Sequence, residues 1–115
     1  MQRDSLQITD QPGSQAGQRI LTLNGPLVLA TMFQFQATVR ADQSAVLIID
    51  FSKVPYVDSA GIGALVGAYV TRQNSNRRLA LVAVPSRVRD ALKVTRVDHF
   101  FGFFDSVAAA EQSAA

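Results

Sequence analysis

The spacing of apolar residues changes repeatedly along this chain, and each change marks an element. Leu6–Thr9 alternates and is followed by a turn-rich stretch, Asp10–Gly17, carrying Pro12, Gly13 and Gly17. Arg19–Leu23 reads as a second strand and stops at Asn24-Gly25-Pro26. Together they predict an antiparallel pair joined by a long loop. Over Leu27–Arg40 the period lengthens. Val28, Met32, Phe35 and Val39 are 4, 3 and 4 positions apart, one stripe of an amphipathic helix. Leu29 and Phe33 widen that arc and are expected to pack inside the molecule, the alternative being a partner surface. Val46-Leu47-Ile48-Ile49 is a continuous apolar run, as in a strand covered on both faces. Ser52–Val57 is a connector with Pro55. A helix follows from about Ala60 to Gln73, its inward stripe Ile62, Leu65, Val66 and Tyr69, ended by Asn74-Ser75-Asn76. Leu79–Val84 repeats the strand pattern, and Pro85-Ser86 opens a helix whose buried face is Val88, Ala91, Leu92 and Thr95. Phe100–Phe104 predicts a last strand, and Asp105-Ser106 caps a short Ala-rich helix.

The order β-β-α-β-α-β-α-β-α predicts an α/β fold: a mixed sheet with an N-terminal antiparallel pair, later strands parallel through right-handed crossovers, and about four helices packed on it. With 115 residues and no dividing linker, a single domain over residues 1–115 is expected. The composition, 48% hydrophobic and 17% charged, is that of a chain able to bury a core. The absence of cysteine excludes disulfides, thiolate metal sites and cysteine nucleophiles. The polar start of the chain does not resemble a signal peptide, and Gly61–Val70, the most apolar stretch, is too short to span a bilayer. A soluble, cytoplasmic protein is the expectation.

Net charge is +2, yet seven of the 11 basic residues (Arg72, Arg77, Arg78, Arg87, Arg89, Lys93 and Arg96) crowd into one quarter of the chain. Such a cluster can meet an acidic partner, but without interleaved aromatics direct nucleic-acid binding is not expected; solvated helix ends and loops are the expected account of it. Catalytic patterns are weak. Asp58-Ser59-Ala60-Gly61 lacks the Gly two places before Ser that a nucleophile elbow requires, and His99, the only histidine, lies beside Phe100 and Phe101. Gly61-Ile62-Gly63 has neither a third dinucleotide-loop Gly nor a P-loop Lys, and no metal-ligand cluster is spaced along the chain. An enzyme is not expected.

The segment Val54–Leu65 carries the information. Ser59 falls where a helix should begin, which on structural grounds alone predicts an N-cap. Gly61 and Gly63 weaken that helix and leave its first turn bare, open to another molecule. The positive end of the helix dipole would tolerate a phosphate on Ser59, whose added charge beside Asp58 would alter what docks there. Gly63 and Gly67, near Ala64, either allow close helix packing or form a flat shelf for a partner.

The run Ile48-Ile49-Asp50-Phe51-Ser52-Lys53-Val54-Pro55-Tyr56-Val57-Asp58-Ser59-Ala60-Gly61-Ile62-Gly63 resembles the central signature of STAS domains of the anti-anti-sigma-factor kind. Asn24-Gly25-Pro26-Leu27 and Phe103-Phe104-Asp105-Ser106-Val107 extend the likeness to both flanks. The resemblance implies an anti-sigma factor antagonist. Unphosphorylated, such a protein binds an anti-sigma factor that is also a serine kinase; phosphorylated, it lets go, and a PP2C-type phosphatase restores it. Carried across, Ser59 is the phosphorylation site, Asp58, Ala60, Gly61, Gly63, Ala64 and Gly67 form the partner-binding surface, and no cofactor is needed, ATP belonging to the kinase. A weak homodimer stays open. Two departures stand out. Pro26, Leu27 and Val28 occupy a region where the family often has acidic residues that meet the kinase, and Ala60 replaces a frequent second Ser. The alternatives are a STAS subunit of a lipid-transport ABC system and a structural scaffold within a signalling assembly.

Overall fold

The computed structural model describes residues 5–113. Its five strands are β1 (Gln7–Pro12), β2 (Gln18–Asn24), β3 (Val46–Lys53), β4 (Arg78–Val82) and β5 (Gly102–Phe104). The helices are α1 (Met32–Ala41), α2 (Ser59–Asn74), α3 (Ser86–Val94) and α4 (Val107–Ser113). The strands lie in the sheet in chain order, β1 antiparallel to β2 and every later neighbour parallel. The expected mixed sheet with four helices is the observed one.

Alternation on β3 explains why both faces are covered. Leu47, Ile49 and Phe51 join the larger core with Phe35 and Val39 of α1, Ile62 and Leu65 of α2, and Val88 and Leu92 of α3. Val46 and Ile48 point the other way, with Ile20, Ala80 and Val82, and are closed over by Ala110 of α4. Three crossover helices therefore share one face, as same-handed connections between sequential parallel strands require. Glu111 of α4 accepts from the Ser14 amide, and its carbonyl accepts from Gln18 Nε2 (3.0 Å), which fastens the β1–β2 loop to the last helix.

Element boundaries depart from the sequence expectations for identifiable reasons. β1 runs on through Pro12, opposite Arg19, because β1 is an edge strand and proline there interrupts no second ladder. The first helix begins at Met32 rather than Leu27. Leu27 instead donates to Tyr56 O (3.2 Å) and forms a parallel bridge with Val57, while Thr31 Oγ1 donates to Pro26 O (2.8 Å) and accepts from the Val28 amide (3.0 Å). Pro26, Leu27 and Val28 are buried by this arrangement. Leu29 and Phe33, expected inside, are 62% and 69% exposed. Phe100 sits in a 3-10 turn, Asp98–Phe100, so the last strand holds only Gly102–Phe104. Ser106 caps α4 as expected, its Oγ accepting from the Ala109 amide (3.1 Å).

Candidate functional site

The loop from β3 delivers Asp58 in an extended conformation directly before α2, and Asp58, not Ser59, is the N-cap. Its Oδ1 accepts from the Gly61 amide (2.8 Å), one of the donors a helix start leaves unpaired. Its Oδ2 reaches out of the helix and accepts from the Leu29 amide (3.0 Å). One carboxylate thus joins the start of α2 to the approach to α1. Burial opposes ionisation of this group, but the amides of Gly61, Leu29, Ala60 and Asp58 itself outweigh it and hold the carboxyl below its ordinary value.

Freed from capping, Ser59 becomes the first residue of α2, exposed, and its hydroxyl makes no hydrogen bond among the described residues. Gly63 and Gly67 follow at one-turn intervals and are exposed as well. A methyl group placed on either would touch nothing within 4 Å, so they form a bare ridge and not a helix–helix contact. Val70, 46% exposed, continues it. The ridge borders a shallow groove of about 110 Å³ between α1 and α2, lined by Gln36, Val39, Arg40, Gly67 and Thr71 among others. Leu29 and Phe33 are exposed as well, and the Asp58–Leu29 bond ties the Leu29 backbone to the residue that precedes Ser59.

The other residues of the expected partner surface divide. Ala60 is half-buried, whereas Gly61 and Ala64 are buried. A Cβ on Gly61 would lie 1.9 Å from Leu27 O, so this glycine lets the backbone of the α1 approach pass under α2. Gly61 and Ala64 support the surface from beneath. The exposure of Leu29 and Phe33 was only the second expectation from sequence, because their spacing equally fits a core-facing arc. The capping role of Asp58 had one sign in the sequence, an acid three residues before a glycine at a helix start.

A family-model match to the STAS domain spans residues 6–110. The chain belongs to the STAS domain family. Solved structures of similar shape include an anti-sigma factor antagonist from Mycobacterium paratuberculosis (TM-score 0.82, 20% identity, 95% of this chain and 93% of that one covered). The anti-sigma factor antagonist SpoIIAA in its unphosphorylated form is another (TM-score 0.73, 16% identity, 96% of both chains). A third is a sulfate transporter family protein from Wolinella succinogenes (TM-score 0.74, 23% identity, 84% of this chain and 86% of that one). At these identities the likeness is one of fold.

The basic cluster does not form one surface in this STAS domain. Arg72 is buried, paired with Asp42 (3.5 Å), donating to Ser44 O (2.6 Å) and Arg78 O (2.9 Å). Burial pushes its guanidinium below the ordinary value, and Asp42 opposes that. Arg77 donates to Gln43 Oε1 (2.7 Å), Arg87 lies over the Tyr56 ring, and Arg89 covers Phe103 at 3.8 Å. His99 packs on Phe100, 4.3 Å between ring centroids. No group of three or more potential metal ligands occurs among the described residues, and no helix there is long and apolar enough to cross a membrane.

Proposed function

We propose that this STAS protein is an anti-sigma factor antagonist, a single-domain cytoplasmic switch that binds its partner when Ser59 is unmodified and releases it when Ser59 carries a phosphate. The observation that carries this reading is the placement of Ser59: an exposed, unengaged hydroxyl at the first residue of α2, heading a bare glycine ridge. A kinase needs room around an acceptor hydroxyl, and Gly63 supplies it. The helix start favours the added anion electrostatically, so phosphorylation does not oppose folding. The partner is an anti-sigma factor with serine-kinase activity. It docks on the Ser59–Gly63–Gly67 ridge, with Leu29 and Phe33 as apolar anchors of the kind that dominate interface energies. Asp58 and Ala60 border that contact. A PP2C-type phosphatase returns the serine to its free form, and no cofactor or catalytic residue of this chain takes part.

The deciding experiment uses Ser59→Ala and Ser59→Asp proteins as baits in lysate of the source organism, with identification of what each retains. The Ala form should retain an ATP-binding anti-sigma factor that phosphorylates the unsubstituted protein on Ser59, and the Asp form should lose it. A second reading, a STAS subunit on a membrane transporter, is favoured by the burial of Pro26, Leu27 and Val28 where a kinase-facing acidic patch would stand. Equal retention of transporter components by both baits would replace the first reading with this one.

A further inference from the structure

A cleft lies away from Ser59, at the far edge of the sheet, and it has a physical origin. β5 pairs with β4 only from Ala80↔Gly102 to Val82↔Phe104, so the Arg78–Leu79 end of β4, paired with β3 on its inner side, has no strand on its outer side. The notch left by this short strand opens into a cleft of about 320 Å³. Aromatic rings of Tyr69, Phe100 and Phe104 and the aliphatic side chains of Leu79 and Ala110 give it an apolar lining. Tyr69 and Phe100 hold each other in a stack, centroids 5.4 Å apart, so one wall is flat and fixed.

Two guanidinium groups stand at this cleft, and they differ. Arg77 is held by Gln43 Oε1 and the Asp42 carbonyl. The Arg78 side chain is exposed and has no hydrogen bond or ion pair among the described residues. Of the nearby carboxylates, Asp42 is committed to Arg72 and Ser44. Among the described residues lining the cleft the charged side chains are Arg77 and Arg78, so the lining is positive, and of the two guanidinium groups Arg78 is the unengaged one.

We propose that this cleft is a binding site for a small apolar carboxylate, its carboxyl paired with Arg78 and its aromatic or short acyl body against Tyr69, Phe100 and Leu79. The volume is at the lower end of ligand pockets and equals about eleven waters, enough for a two-ring acid or a medium acyl chain. A carboxylate matches the planar donor fork of arginine in a way a neutral polar group does not. A peptide adding a strand to the sheet suits the notch less well, because only two residues of β4 are free there, fewer than an added strand needs to pair.

The test is an amide NMR titration of the isotopically labelled full chain with decanoate, naphthoate and the neutral alcohols decanol and naphthylmethanol. Saturable shifts at Leu79, Ala80, Gly102 and Phe104 are expected with at least one acid, and which acid saturates identifies the body the cleft prefers. Arg78→Ala should weaken acid binding about tenfold and leave alcohol binding unchanged, with Arg78→Lys in between. Arg78 is exposed, so the variants fold, and their spectra report it directly. The proposal is overturned by three results: saturation by neither acid, equal binding of acids and alcohols with no effect of Arg78→Ala, or shifts confined to the α1–α2 face.

Discussion

Three glycines on α2 should respond to the same substitution with opposite signs. Gly61→Ala places a methyl group 1.9 Å from Leu27 O and 2.6 Å from Leu27 C, backbone atoms that cannot rotate away. Relief requires the α1 approach to lift from α2, weakening the Leu27–Val57 bridge and the Asp58–Leu29 hydrogen bond. Overpacking of this severity costs about 3 kcal/mol or more, against a helix-propensity gain of about 1 kcal/mol, for a net loss of roughly 2–4 kcal/mol. At Gly63 and Gly67 the added methyl meets nothing within 4 Å. There only the propensity term and the loss of unfolded-state freedom act, and each Ala should stabilise by about 0.5–1 kcal/mol. Urea titrations of the three variants measure this directly. Midpoints should fall by roughly 1–2 M for Gly61→Ala and rise by a few tenths of a molar for the other two, for a slope of about 2 kcal/mol per M. Partner affinity adds a second axis: on the proposed function, Gly63→Ala should be more stable yet bind the anti-sigma factor less well, because it roughens the ridge. A Gly61→Ala protein as stable as its parent would refute the close approach of Leu27 and, with it, the packing that fixes Ser59.

Asp58→Ala removes the α2 cap and the tie to Leu29 and should cost about 1–2 kcal/mol at neutral pH. Because the folded-state value of Asp58 lies below its ordinary 3.8, its ionised contribution is complete above that value and is lost as pH falls through the lower one. Acid unfolding of Asp58→Asn should accordingly lack that part of the pH dependence. Ser59→Asp should leave stability within about 0.5 kcal/mol, since the hydroxyl makes no bond among the described residues and the helix start accepts negative charge; a large loss by thermal melting would contradict the exposed position. Leu29→Ser and Phe33→Ser should change stability by less than about 0.5 kcal/mol while weakening partner binding about tenfold or more in calorimetry. Arg72→Ala strands the buried Asp42 and the carbonyls of Ser44 and Arg78, and should cost about 3–5 kcal/mol in chemical denaturation.

The succession of elements along the chain, the two-sided burial of Val46–Ile49 and the inward stripe of α2 were legible because each follows from periodicity within one segment. The Asp58-Ser59-x-Gly run likewise located the start of α2. What was not legible depends on contacts between segments. Asp58 and Ser59 are both good caps by residue type, and only the path of the β3–α2 loop decides that the aspartate takes the position. Leu29 and Phe33 share the helical spacing of core residues, and their exposure follows from Leu27 and Thr31 binding the neighbouring loop and delaying α1 until Met32. Arg72 looked like one more surface cation; its burial depends on Asp42 and Ser44, about thirty positions earlier in the chain. Gly61, Gly63 and Gly67 are indistinguishable as letters, and the passage of Leu27 beneath the first alone separates them.

The double attachment of Asp58 bears on timing. Both carboxylate oxygens are occupied by backbone amides, one in α2 and one ahead of α1, so the residue preceding Ser59 is clamped to two elements at once. An acceptor mounted on such a platform transmits its state through charge and bulk at the surface, with no segment to unfold or re-dock. Under the proposed switch, the delay between a signal and its readout is then the turnover of the kinase and the phosphatase, and the protein contributes none of its own.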